Sequence, residues 1–336
     1  MLVFAAETSC DETSVCLMKN RNIVDHITFS QEIHKIHGGV VPELASRSHL
    51  EKIQEITQKI FKKNKIEPRK IDIFTATCGP GLIGALLVGS TFVKSLALNV
   101  KRPFVPMNHL EGHILSTSFN NEIKYPHLVL LLTGGHTQFY LMQNSKEVEL
   151  LGESVDDAIG EAFDKTAKLL GLGYPGGFEI ETRANKGDEK FFALPKPLIN
   201  DKNLNFSFSG LKTYINLLIK KSEINDIFIN NLCASFQKTI SDIIVSKIEV
   251  GIKILNERSI NIKALSVVGG VSNNNYIRKN IKILIDRKNI ELYYPIKEMM
   301  SDNSAMIAWA CLKNYNNSKN NIFFKCEPRV RINRNL

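Results

Sequence analysis

Two features of the chain predict an α/β protein built from two related lobes. The first is a repeated unit of apolar strand, polar turn and apolar return strand, met at residues 2–18 and again at 128–142. The second is an alternation of strand-like and helix-like segments in both halves, which argues for helices layered on sheets. At 336 residues and 43% hydrophobic content, the chain holds enough apolar material for two such cores.

The elements follow in chain order. Residues 2–6 form the first apolar strand, 7–14 the polar turn and 15–18 the return. A Gly38-Gly39 turn leads into a helix whose apolar positions are Leu44, Leu50, Ile53, Ile56 and Ile60. Residues 71–78 read as a buried strand and 79–84 as a glycine-rich loop, followed by an apolar helix to residue 99. Phe104-Val105 is a short strand or turn. A helix opens at Asn108, which has N-cap chemistry, with Glu111 three residues on as in a capping box. Lys124-Tyr125-Pro126 is the expected seam. It gives lobes of residues 1–125 and 126–336, the last helix and tail packing back on the first lobe.

In the second lobe, Gly134 and Gly135 sit in the turn between two strands. Without a Cβ, such a turn can present its N–H groups to an anion. Two such units facing one another are the plan of a nucleotide clamp, and two ordinary hairpins satisfy the same pattern. Residues 153–170 predict an amphipathic helix with Val155, Ala158, Ile159, Ala162, Phe163, Ala167 and Leu170 on one stripe, ended by Gly171 and Gly173. Residues 187–212 are loop-rich and 227–257 helical. Residues 264–268 form a strand that runs through Gly269-Gly270 into a further helix, and 302–315 form the last helix.

Composition narrows the function. The formal charge of +9 favours polyanion partners such as RNA over acidic substrates. The tail sharpens this: Lys313, Lys319, Lys325, Arg329, Arg331 and Arg334 face one acid, Glu327, which suits either a nucleic-acid contact or a solvated tail. Six cysteines are scattered with no Cys-x-x-Cys, as expected of a reduced cytoplasmic protein without a zinc finger. The first residues run into Glu7, Asp11 and Glu12 with no basic segment ahead, so no signal peptide is expected. No apolar run is long enough for a membrane span, and no membrane partner is expected.

Three motifs carry chemistry. Gly79-x-Gly81-x-x-Gly84 follows a strand and opens a helix, as a dinucleotide fingerprint does. Residues 101–107 offer no acid for a ribose and Pro80 removes an N–H, so a tight strand-to-helix turn is the better reading. His109 and His113 stand at i and i+4, the spacing of metal ligands on one helix face. A metalloprotease fits poorly, because Glu111 lies roughly 200° around the helix from His109. Asp302, at a helix start, is the candidate third ligand. Asp164 lies beside the apolar stripe of its helix, and from periodicity alone a solvated face paired by Glu161–Lys165 and Asp164–Lys168 is the better reading.

Taken together, the motifs are recognisable. In order they are Glu7-Thr-Ser-Cys-Asp-Glu-Thr13, Gly38-Gly-Val-Val-Pro-Glu43, Gly79-Pro-Gly-Leu-Ile-Gly84, Asn108-His-Leu-Glu-Gly-His113, Gly134-Gly-His-Thr137, Glu161-Ala-Phe-Asp-Lys165, Phe206-Ser-Phe-Ser-Gly210 and Gly269-Gly-Val-Ser272 with Asn274. Over nearly its whole length the chain resembles the bacterial TsaD-type tRNA N6-adenosine threonylcarbamoyltransferases. The resemblance implies an actin-like ATPase (ASKHA) fold of two lobes, each a mixed sheet flanked by helices, with nucleotide and metal in the cleft. It implies transfer of a threonylcarbamoyl group from threonylcarbamoyl-AMP to N6 of adenosine 37 in tRNAs reading codons that begin with A.

The same resemblance implies the site residues. His109, His113 and Asp302 would hold one divalent metal, iron or else zinc. Leu132, Thr133, Gly134, Gly135, His136 and Thr137, with Asp164, Gly177, Glu181 and Asn274, would hold the adenylate donor or an adenine nucleotide in the same site. Glu181 stands where the family usually has Asp, and Phe178 where Pro is usual. Asp11 and Glu12 match acidic residues near the reacting centre. The implied partners are tRNA, a paralogous actin-like subunit and a small P-loop ATPase. An actin-like small-molecule kinase would share the hairpins without needing the histidine pair. A non-catalytic ATP-binding subunit would not need the metal ligands.

Overall fold

The computed structural model describes residues 1–315 and 320–332. Packing divides the chain into two units, Met1–Asn121 with Pro295–Leu336, and Glu122–Tyr294. The first unit begins with an antiparallel meander of β1 (Leu2–Glu7), β2 (Glu12–Lys19) and β3 (Asn22–Ser30). Helices α1 (Ile33–His37) and α2 (Pro42–Asn64) carry the chain to β4 (Ile73–Gly79), parallel to β1. Helix α3 (Ile83–Asn99) crosses to β5 (Phe104–Asn108), parallel to β4, and α4 (His109–Ser116) follows at once. The sheet order is β3-β2-β1-β4-β5. All seven residues of β4 are buried, as its apolar run requires of a central strand covered on both faces.

The second unit repeats this plan. An antiparallel meander of β6 (His127–Leu132), β7 (Thr137–Met142) and β8 (Val148–Glu153) comes first. Helices α5 (Ile159–Leu169), α6 (Gly176–Ala184), α7 (Ser209–Lys221) and α8 (Asp226–Glu257) lead to β9 (Ala264–Val268), parallel to β6. Helix α9 (Asn275–Asp286) crosses to β10 (Glu291–Tyr293), parallel to β9. The order β8-β7-β6-β9-β10 matches the first sheet strand for strand. The two predicted hairpins are thus the visible part of a repeat of a whole five-stranded topology.

The chain then returns to the first unit. Helix α10 (Ser304–Asn314) packs on α4, β1 and β2. Residues 320–332 form a strap over the end of β4, where Glu327 N–H donates to the Cys78 carbonyl at 2.9 Å and Gly81 N–H to the Pro328 carbonyl at 3.1 Å. Gly79 is needed there: its φ is +147°, and a Cβ would stand 2.0 Å from the Glu327 carbonyl oxygen. The Gly79–Gly84 segment is therefore a tight structural turn. Among the described residues no helix is long and apolar enough to cross a membrane.

Several expectations shift. The seam at Lys124-Tyr125-Pro126 lies inside the second unit, because Lys124 pairs with Glu291 and the Pro126 carbonyl accepts from Lys263 N–H at 2.7 Å. The helix expected over 153–170 starts only at Ile159, and Val155 is 62% exposed rather than in the stripe. Residues 154–157 are held elsewhere: Ser154 N–H donates to Thr137, Val155 N–H to Phe206, and the Asp156 carboxylate accepts from Ser207 and Ser209. Leu50 is exposed, while His49 and Thr57 complete the buried face of α2. Lys319 and Arg334 of the basic tail lie outside the described residues.

Candidate active site

The first unit gathers the expected metal ligands. Asn108 caps α4, its side-chain oxygen accepting from Leu110 N–H at 2.8 Å and Glu111 N–H at 3.3 Å, which fixes the first turn. His109 and His113 then share a face, with ring centroids 4.8 Å apart. His113 Nε2 lies 2.9 Å from Asp302 Oδ1 and His109 Nε2 lies 3.6 Å from Asp302 Oδ2. One ligand atom from each residue falls within 4.8 Å of the other two. Asp302 is placed by the start of α10, where Asn303 accepts from Ala305 and Met306 N–H and donates to the Ser301 carbonyl. Glu111 faces away from these ligands and accepts from Asn314 at 2.6 Å.

A residue with no role assigned from the sequence completes this group. Glu7, at the buried end of β1, lies 3.1 Å from His109 Nδ1, and Ser9 Oγ lies 3.2 Å from the same nitrogen. Glu7 is itself held by Thr77 Oγ1 and Ser9 N–H. A carboxylate on Nδ1 fixes the ring so that Nε2 faces Asp302, the arrangement that orients a metal-binding histidine. The signal was in the sequence, an acid closing an otherwise apolar strand, but its partner is 102 residues away.

The electrostatics call for positive charge. Burial disfavours protonation of His109, but the Asp302 and Glu7 carboxylates outweigh it and raise its pKa to about 9. Burial keeps His113 below the ordinary imidazole value, against the pull of Asp302. Burial, then Asp11 and Asp302, push Glu12 well above the usual carboxylate range. Asp11, Glu12 and Asp302 thus share one acidic pocket. Two imidazole nitrogens, a carboxylate and a field that already traps a proton fit a divalent cation.

In the second unit the expected nucleotide residues are linked through backbone. The β6–β7 turn is closed by Thr133 N–H to the His136 carbonyl at 2.9 Å and His136 N–H to Thr133 Oγ1 at 3.0 Å. Thr137 Oγ1 accepts from Ile159 N–H at 2.8 Å and so sets the start of α5. Asp164, on that helix, accepts from Gly176 N–H at 2.7 Å at the start of α6. Glu181, on α6, accepts from Asn275 N–H at 2.8 Å, and Asn274 caps α9 while donating to Gln237. Gly269 packs on Leu132 and Gly160 on Gly134, each closer than a Cβ permits. By contrast, a Cβ on Gly134, Gly135 or Gly177 would meet no atom within 4 Å. Their bareness serves no packing need and leaves room for a ligand against the backbone.

The duplicated sheet topology, two five-stranded sheets of one order flanked by helices, defines a protein of the actin-like ATPase fold. HypF from T. kodakarensis shares that fold at a TM-score of 0.61 and 13% identity, over 94% of this chain and 48% of that one, so the chain spans about half of it. The family model "tRNA N6-adenosine threonylcarbamoyltransferase" matches residues 22–309. The enzyme of that name from Rickettsia canadensis (strain McKiel) is 43% identical over 320 residues, 94% of each chain. The one from Thermosipho africanus is also 43% identical, over 321 residues and 94% of each chain. The chain belongs to the TsaD family of tRNA N6-adenosine threonylcarbamoyltransferases. It is a transferase of a family that acts on tRNA, uses a divalent metal and takes an ATP-derived substrate.

Proposed function

We propose that this chain transfers the threonylcarbamoyl group of threonylcarbamoyl-AMP to N6 of adenosine 37 in tRNAs that read codons beginning with A, forming t6A. The observation that carries the reading is the built His109–His113–Asp302 cluster, with Glu7 behind it, inside a family match spanning residues 22–309. His109, His113 and Asp302 would hold one metal, iron or zinc, which when bound would supply a Lewis acid for a carbonyl oxygen of the donor. The open turn at Gly134 and Gly135 offers N–H groups to the donor phosphate, and Gly177, Glu181 and Asn274 lie on the elements that Asp164 and Glu181 tie together.

Adenine N6 is a weak nucleophile, so positioning and charge stabilisation supply most of the rate. Asp11 or Glu12 accepts the N6 proton, and burial with the neighbouring acids holds the Glu12 carboxyl above the usual range. A cation at the histidine pair draws Glu12 back toward its ionised form. The exposed side chains of Arg329 and Arg331 contact tRNA phosphates. The enzyme works in the cytoplasm with a paralogous actin-like subunit and a small P-loop ATPase.

Depletion of this protein, followed by mass spectrometry of tRNA nucleosides, tests the reading: t6A falls and returns with the wild-type chain but not with His113→Ala. Unchanged t6A overturns it. Neutralising Arg329 and Arg331 should flatten the salt dependence of tRNA affinity by roughly one unit of slope per lost contact.

A further inference from the structure

The strap of residues 320–332 brings together two cysteines that stand far apart in sequence. Glu327 N–H donates to the Cys78 carbonyl at 2.9 Å, which brings the backbone at Cys326 beside that of Cys78. Both side chains enter the same apolar core. Their thiols hydrogen-bond to each other, and Cys326 Sγ also lies 3.0 Å from Ser90 Oγ and 3.7 Å from the Leu86 carbonyl. Lys94 reaches the strap through the Phe324 carbonyl and adds positive field. All six cysteines are free thiols, with Cys78 buried and Cys326 half-buried.

We propose that Cys78 and Cys326 form a redox dithiol that a hydroperoxide converts into a disulfide pinning the strap to β4. The roles of the two sulfurs follow from their surroundings. The hydrogen bond from Cys78 favours the Cys326 thiolate, burial opposes it, and Ser90 and Lys94 add to it, so its pKa falls to about 6. The same hydrogen bond, with burial, drives Cys78 well above the ordinary thiol range. Cys326 is therefore the attacking sulfur and Cys78 the resolving one.

The half-buried Cys326 thiolate attacks an oxygen of the peroxide. An S–O bond forms, the O–O bond breaks, and the leaving hydroxide takes a proton to become water. Cys78 then gives up its proton and attacks the sulfenic sulfur. The S–S bond forms, the S–O bond breaks, and a second water departs. Two thiols and one hydrogen peroxide become one disulfide and two waters.

The test takes the full chain, reduced and desalted, and adds stoichiometric hydrogen peroxide. Two of the six thiols should disappear, and an unreduced digest should contain one peptide pair joining Cys78 to Cys326. Cys326→Ser should abolish that pair. Cys78→Ala should stop Cys326 at the sulfenic acid, trapped by dimedone. In the reduced chain, iodoacetamide should modify Cys326 at least about tenfold faster than any other cysteine. The proposal is overturned if peroxide leaves both thiols free, joins either to a different cysteine, or takes wild-type Cys326 to the sulfinic acid with Cys78 still reduced. Should Cys78→Ala fail to fold, the wild-type and Cys326→Ser arms still decide it.

Discussion

In the first unit, the groups that would hold a cation are two buried histidines and a half-buried aspartate already bonded to one another. His109, His113, Asp302 and Glu7 come from three elements and hold their geometry through hydrogen bonds. In the second unit, the groups that would hold a nucleotide are bare backbone. Gly134, Gly135 and Gly177 face open space, and the side chains around them tie the glycine turns in place. The two units share one topology, so the difference is not in the fold. It lies in what each unit presents at the ends of its strands: a fixed charge pattern in one, a shaped void in the other.

The largest way to break this contrast is at the histidine pair. His113→Ala should cost at least about a hundredfold in metal affinity, read by elemental analysis, while adenine-nucleotide affinity stays near wild type. Gly135→Val tests the opposite arm. A Cβ there meets no protein atom within 4 Å, so unfolding should be unchanged while calorimetry shows nucleotide binding lost. Gly160→Ala, on the helix behind the same turn, should reverse that pattern. Its Cβ would stand 2.6 Å from Gly134 Cα, so stability should fall by about 1–3 kcal/mol.

Glu7→Gln sharpens the first arm. It keeps the shape and removes the charge behind His109, and metal affinity should drop about 10–100-fold without loss of nucleotide binding. Unaltered metal affinity would refute the orienting role of Glu7.

The last comparison sets two buried histidines side by side. His109 welcomes a proton, whereas His127 in the second unit refuses one: burial drags its pKa down to about 3, and its Nδ1 has no partner. The unfolded chain binds that proton near pH ~6.5. The second unit's stability is thus fully present above that value and lost as pH falls toward the folded value, by up to about 1.4 kcal/mol per pH unit. His127→Leu should flatten the acid side of a pH–stability curve, and an unchanged slope would show that another group sets it.

What could be read from the chain follows from distance along it. His109 and His113 were legible because four residues on a helix fix their relation. The Gly134-Gly135 turn was legible because both flanking strands are local. Glu7 was not, because its partner is brought to it only by the parallel order β1-β4-β5. Strand β3 gave no apolar pattern, since Asp25 and His26 interrupt it. The false start of the helix at residue 153 has the same root: Val155 sits at helical spacing, yet its backbone is claimed by Phe206, 51 positions later.

The split course of the first unit has a consequence for the chain as it is made. Asp302 emerges 189 residues after His113. At roughly 5–20 residues per second, that is a delay of about 10–40 s, during which the entire second unit leaves the ribosome. Until then His109 and His113 lack both the Asp302 carboxylate and the helix that covers them. A chain released early would therefore carry a finished second unit and a first unit whose histidine pair lacks the Asp302 carboxylate.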